Sequence, residues 1–180
     1  MYCKQDEQPW MGYAQVDITP DAPVETVGFG RPDNRSRGVL HPLWAQVTVW
    51  QQGTERCCLV AIDHIGFSKD HADALRAQLG QALSTPVEKI MLCFSHTHAA
   101  PNESAELAYF AFVCRQVGQA ARAALAALSP ARLAWGNGWA DIGINRRAGC
   151  PQLDRRVRPH RRAAPAFAAA DRPLQRAQGG

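Results

Sequence analysis

Two short, unbroken apolar runs, Cys57-Cys58-Leu59-Val60-Ala61-Ile62 and Ile90-Met91-Leu92-Cys93-Phe94, flank a stretch of helical periodicity. No other feature constrains the chain more. An apolar run without alternation is the pattern of a strand covered on both faces. Between the runs, Ser68 offers an N-cap and Asp70 falls in the favourable first turn. Ala72, Leu75, Leu79 and Leu83 recur along one face, so the spacing predicts a helix. Pro86 closes the connection. Strand, helix, strand at this spacing is a βαβ unit, with its two strands parallel and joined by a right-handed crossover.

The flanking segments extend this unit into a sheet. Residues 14–19 alternate apolar and polar and stop at Pro20, which predicts a strand. Residues 21–42, rich in Gly, Pro, Arg and Asn, form a long loop, a kind that is often functional in compact domains. Leu43 to Trp50 alternates again. It leads through Gln51-Gln52-Gly53-Thr54 into the first apolar run as an antiparallel hairpin. A second helix is expected near 104–128, with Leu107, Phe110, Ala111, Cys114, Val117, Ala121, Leu125 and Leu128 as its apolar stripe. Arg132 to Gly136 is a further strand candidate. The expected fold class is α/β: one domain with a mixed β-sheet, a βαβ unit and flanking helices.

With 180 residues, 46% hydrophobic and 20% charged, the chain is long enough to bury such a core. No apolar run approaches the roughly 20 residues that span a bilayer, so no transmembrane segment is expected. Met1-Tyr2-Cys3-Lys4-Gln5-Asp6-Glu7 has no apolar leader region. The six cysteines form no CxxC or CxxxC pair, and adjacent Cys57 and Cys58 read as small core residues. These features predict a reduced, cytoplasmic chain.

The net charge of +4 is unevenly spread. Residues 1–145 carry 11 Lys/Arg against 14 Asp/Glu, a net of −3, and residues 146–180 carry 9 Arg against 2 Asp, a net of +7. A basic tail of this kind is one route to nucleic acid or an acidic surface. It lacks interleaved aromatic residues and a folded motif, so nucleic acid is not the favoured partner.

Parallel strands end on a common edge, where open α/β sheets bind ligands. Asp63 and His64 follow the first apolar run, and Ser95-His96-Thr97-His98 follows the second. In extended backbone, side chains i and i+2 point the same way. His96 and His98 are therefore expected to converge on one metal ion or one substrate group. Asp63 has three readings: a third ligand, an acceptor that orients a histidine, or a helix cap or structural acceptor. The His-Thr-His pair also has a plain reading as loop histidines without a ligand. His41, between Leu40 and Pro42, either lines the same edge or sits in a turn. Arg146 and Arg147 read as surface arginines on chemistry alone, and His71 and His160 as exposed.

At these residues the chain resembles the N-terminal domain of neutral, non-lysosomal ceramidases and their bacterial relatives. Gly12-Tyr13-Ala14-Gln15-Val16-Asp17-Ile18-Thr19-Pro20 is similar to the family's opening strand. Gly28-Phe29-Gly30 and Gly38-Val39-Leu40-His41-Pro42-Leu43-Trp44-Ala45 are similar to its glycine loop and second strand. Leu59-Val60-Ala61-Ile62-Asp63 resembles its buried strand ending in aspartate. Phe94-Ser95-His96-Thr97-His98-Ala99-Ala100-Pro101 resembles its Thr-His-Thr-His-Ser-Gly-Pro signature, and Ile144-Asn145-Arg146-Arg147 its Asn-Arg element. The likeness runs over residues 12–147.

The resemblance implies a zinc-dependent amidohydrolase that cleaves N-acylsphingosine to sphingosine and a fatty acid, with a lipid or other amide as substrate. It makes His96 a zinc ligand and His98 a catalytic residue supporting substrate or water. Arg146 becomes a catalytic contact to substrate. Beside these, the strand-edge reading keeps Asp63 as a candidate metal ligand and His41 as a candidate substrate contact. Ala99-Ala100 and Asn102-Glu103 depart from the family's residues. The family's second zinc histidine, its glutamate and its tyrosine have no counterpart here. A catalytic zinc takes at least three protein ligands, so the resemblance implies an incomplete, weakly active or inactive fragment.

Residues 1–147 are then an incomplete ceramidase-like N-terminal domain. Residues 148–180 are an Arg/Ala/Pro-rich tail, either disordered or translated out of frame from GC-rich sequence. The alternative function is a non-catalytic α/β binding module whose basic tail meets nucleic acid or acidic surfaces.

Overall fold

The computed structural model describes residues 8–28 and 33–140. Two compact units divide the chain, Met1–Trp135 and Gly136–Gly180. Only residues 136–140 of the second are described, so Arg146, Arg147, His160 and the expected tail lie outside the described residues.

In the first unit, strands β1 (Trp10–Asp17), β2 (Trp44–Gln52), β3 (Glu55–Ile62), β4 (Ile90–Phe94) and β5 (Ser129–Pro130) form one sheet in the order β4-β3-β2-β1-β5. The β3–β4 pair is parallel and the others are antiparallel. Helix α1 (Lys69–Leu83) connects β3 to β4, and α2 (Leu107–Ala126) follows. The fold is the mixed α/β sheet with a βαβ unit that the two apolar runs predict. No described helix is long and apolar enough to cross a membrane.

Helix α1 forms where its signals place it. The Ser68 hydroxyl accepts from the His71 amide at 3.3 Å, and Ala72, Leu75, Leu79 and Leu83 are its buried residues. The Ser68 amide in turn donates to Glu103 Oε1 at 2.9 Å. Glu103, a departure from the ceramidase pattern, thus secures the start of this helix. His71 is not exposed as expected. Its ring stacks on Phe110 with centroids 4.0 Å apart.

Helix α2 differs from its predicted stripe. Tyr109, Val113, Val117, Gly118, Ala120, Ala121 and Ala124 are buried, whereas Leu107 and Ala111 are exposed. Val117 and Ala121 of that stripe are buried, and Cys114, Leu125 and Leu128 pack partly buried against the core, so the helix is rotated only slightly from the predicted face. Contact with β1 sets the rotation: a Cβ on Gly12 would lie 1.8 Å from the Ala124 carbonyl oxygen. Only a bare Cα on β1 lets this side of α2 approach so closely.

Residues 132–136 form no strand. The edge strand is instead Ser129–Pro130, paired with Met11 and Trp10. Pro130 can occupy an edge because its missing N–H is not needed there.

The two helices touch each other and share one core with one face of the sheet. Val47, Val49, Cys58, Val60, Ile62 and Ile90 face them and are buried. Among the described residues nothing covers the opposite face, where the apolar runs of β3 and β4 lead one to expect cover on both sides. Leu59, Met91, Cys57 and Cys93 are exposed, so of the adjacent cysteines only Cys58 is a core residue. Burial pushes the Cys58 thiol up to about 12, with Cys57 adding to the shift.

Candidate active site

Because β3 and β4 run parallel, Ile62 pairs with Phe94 and both strands release their chains at one edge. The Ser95 amide donates to the Ile62 carbonyl at 3.1 Å, holding the two exits together. Asp63 and His96 therefore stand at the same edge, as expected.

His96 and His98 do come together. Their ring centroids lie 5.4 Å apart at 71°. The route differs from the expected one. β4 ends at Phe94, and His96 has φ 59°, in the left-handed region. The two rings meet through a kinked turn rather than through strand alternation. A non-glycine residue in this region is strained by about 1–3 kcal/mol, and such strain gathers at binding and catalytic positions. Thr97 supports the turn, its hydroxyl accepting from the Ala99 amide at 3.2 Å.

The long loop before β2 supplies the wall behind His98. It folds back on itself: the Thr26 amide and hydroxyl both donate to the Asn34 carbonyl, at 2.9 and 2.6 Å. It is also stitched to the segment after His98. Thr26 bridges Pro101, the Asn102 amide donates to Glu25 at 2.7 Å, and the Glu25 amide donates to Glu106 Oε1 at 2.7 Å. This brings Gly28 against His98. A Cβ on Gly28 would fall 1.8 Å from His98 Nδ1, and Gly28 has φ +98°. The positive φ favours glycine, and any Cβ here would have to push the His98 ring aside.

Gly28→Ala should displace the His98 ring from His96, beyond the backbone strain of about 1–3 kcal/mol. Imidazole NMR signals of His96 and His98 should shift while those of buried His64 stay. Gly53→Ala, also at positive φ but with open space around it, should leave both site histidines unchanged. If the two variants perturb them equally, the Gly28 contact does not position His98.

Beside these histidines lies a cleft of about 690 Å³, lined by both arms of the long loop together with His41, Asp63 and Thr97. His41 thus shares the cleft with Asp63. The Asp63 carboxylate is engaged: its Oδ2 accepts from the Trp44 amide at 3.1 Å, and its own amide donates to Trp44 at 2.9 Å. This is the structural-acceptor role among its three readings. No group of three or more His, Cys, Asp or Glu side chains among the described residues is arranged to hold a metal ion. Two imidazoles suit zinc chemically, but a catalytic zinc needs at least three protein ligands. The described donors alone therefore do not fit that centre.

Two residues matter here to which the sequence assigned no role. His64 is fully buried. Its Nε2 donates to the Pro101 carbonyl at 2.8 Å, and its Nδ1 accepts from the Gly66 amide at 3.1 Å. Those partners fix the neutral tautomer with its proton on Nε2. His64 thereby ties the exit of β3 to the segment that follows His98. The signal was in the alternation: Cys58, Val60 and Ile62 face the core, so His64 continues inward and Asp63 outward. Tyr109 is the second. Its hydroxyl is buried without a hydrogen bond, and burial, with Asp17 and Asp63 nearby, raises its pKa.

An α/β sheet whose parallel strands end in a histidine-bearing turn beside a loop-walled cleft is an architecture found among enzymes that bind ligands beyond strand ends. Comparison with solved structures is more specific: the chain has a ceramidase-like fold. It matches the neutral ceramidase of Pseudomonas aeruginosa with a TM-score of 0.59 and 20% identity, over 70% of this chain and 23% of that one. A ceramidase complexed with C2 matches equally, at 0.59 and 20%, over 69% of this chain and 22% of that one. The chain thus spans under a quarter of the length of these ceramidases. No protein-family model matches the sequence, and no curated protein does.

Proposed function

We propose that this chain carries part of the active site of a ceramidase-type amide hydrolase and is catalytically incomplete by itself. The observation that carries the reading is the facing pair His96 and His98, at a parallel-strand edge within a ceramidase-like fold. His96 is the metal-facing residue and His98 supports substrate or water. His41 faces a lipid amide of the N-acylsphingosine class from the cleft, and Asp63 is the further candidate donor to the metal. Arg146, which the resemblance makes a substrate contact, lies outside the described residues. In this reading residues 1–147 are the partial ceramidase-like domain and 148–180 an Arg/Ala/Pro-rich tail. Zinc is the metal the reading implies. Holding it for catalysis takes at least one donor beyond His96 and His98.

The test uses the purified chain, added zinc and a fluorescent N-acylsphingosine. At most trace turnover and less than one zinc per chain are expected. His96→Ala should abolish whatever zinc binding and turnover remain, whereas His98→Ala should reduce turnover more than metal content. Robust turnover that survives His96→Ala would overturn the reading.

A further inference from the structure

Helix α1 owes part of its N-terminal cap to a residue far outside it. In a capping box, the side chain at the third helical position reaches back to the N-cap amide. Here that position is His71, and its ring is stacked on Phe110 instead. The Ser68 amide is taken by Glu103 Oε1 at 2.9 Å, from 35 residues further along the chain. The same oxygen accepts from the Ser104 hydroxyl at 3.3 Å. His71 Nδ1, buried without a hydrogen bond, lies 3.8 Å from it. Glu103 is only 7% exposed. A carboxylate this deep is anchored by its partners, because burying it unpaired is costly. The positive end of a helix is a favourable place for it.

Glu103 belongs to a turn that also serves the site. The Ala105 and Glu106 amides both donate to the Asn102 carbonyl, at 3.1 and 2.8 Å. The Ser104 amide donates to Asn102 Oδ1 at 3.3 Å. The turn therefore moves as one unit, and its other side is bonded to the long loop. Asn102 donates to Glu25 from its amide at 2.7 Å and from Nδ2 at 3.3 Å, and Thr26 bridges Pro101. Gly28, two residues beyond Thr26, stands against the His98 ring.

We infer that Glu103 is a positioning residue for His98. It ties the turn to the start of α1, the turn ties down the Glu25–Thr26 arm of the loop, and that arm holds Gly28 against the ring. A cap drawn from within α1 would stiffen the helix alone. A cap drawn from this turn makes the helix start and the wall behind His98 share one position. The inference deepens the amide-hydrolase reading, in which His98 supports substrate or water, but its test does not use turnover, so the two fail separately.

The experiment is NMR of the histidine rings in the full chain, alongside thermal unfolding. Glu103→Ala should shift the His98 imidazole signals, weaken the nuclear Overhauser contact between that ring and Gly28, and lower Tm. Glu103→Gln keeps the length and an acceptor oxygen, so it should restore the wild-type His98 signals. Ser68→Ala removes the hydroxyl that caps the His71 amide and leaves the Ser68 amide in place. It should lower Tm by a few degrees with the His98 signals unmoved. Unchanged His98 signals in Glu103→Ala, an equal shift in Ser68→Ala, or no recovery in Glu103→Gln overturns the inference. Where Glu103→Ala fails to fold, Glu103→Asp takes its place. Its carboxylate is one methylene shorter, so it should drag the turn and shift the His98 signals; unchanged signals there also overturn the inference.

Discussion

Gly12→Ala is expected to unfold this protein or to lower its Tm by roughly 10 °C or more. The new methyl would sit 1.8 Å from the Ala124 carbonyl oxygen, 2.9 Å from its carbon and 3.2 Å from the Leu128 nitrogen. All three are backbone atoms, so no side chain can rotate away. Relief requires α2 to lift from β1. That lift would disturb the packing of Val113, Val117, Ala121 and Ala124, each with no exposed surface. Overpacking commonly costs about 1–3 kcal/mol, and a rigid contact of this kind belongs at or beyond the upper end. That is a large part of the roughly 5–15 kcal/mol available to a domain. Gly38→Ala is the control, since nothing lies within 4 Å of a Cβ there. Equal melting of the two variants would show that the β1–α2 approach is not tight.

His64→Ala should be the most damaging substitution near the site, at about 3 kcal/mol. It removes a buried ring in contact with Phe67, 4.7 Å between centroids, and strands the Pro101 carbonyl and the Gly66 amide. The same residue gives stability a pH dependence. Burial is the largest cause shifting His64 below the ordinary histidine value, outweighing the opposing hydrogen bonds and Glu103. Adding a proton to Nδ1 would also break the bond from Gly66. A histidine whose folded pKa is depressed binds protons more readily in the unfolded chain. Its contribution is therefore complete above the unfolded value of about 6.5 and is lost as pH falls below it. Thermal unfolding should show Tm falling between neutral pH and pH of about 5 in wild type, with a shallower fall in His64→Phe. An identical pH profile in the two proteins would remove His64 from this role.

Local chemistry was legible in the chain itself. The βαβ unit, the cap at Ser68 and the buried face of α1 follow from short-range steric and hydrogen-bonding rules, and they appear where the residues place them. So does the common edge shared by Asp63 and His96, because parallel strands must end together. What needed tertiary structure was every choice between equivalent local solutions. The buried face of α2 was legible at Val117 and Ala121, but its exact rotation, which exposes Leu107 and Ala111, is set against Gly12 of a distant strand. The meeting of His96 and His98 was expected from strand alternation. It is produced instead by a left-handed turn, with Gly28 packed against His98 from a loop some seventy residues earlier in the chain. The engagement of Asp63 by Trp44 and of His64 by Pro101 likewise joins residues far apart in sequence. An apolar run states that a strand seeks cover on both faces; which face is covered depends on where whole helices pack, and the two described helices cover one side of the sheet.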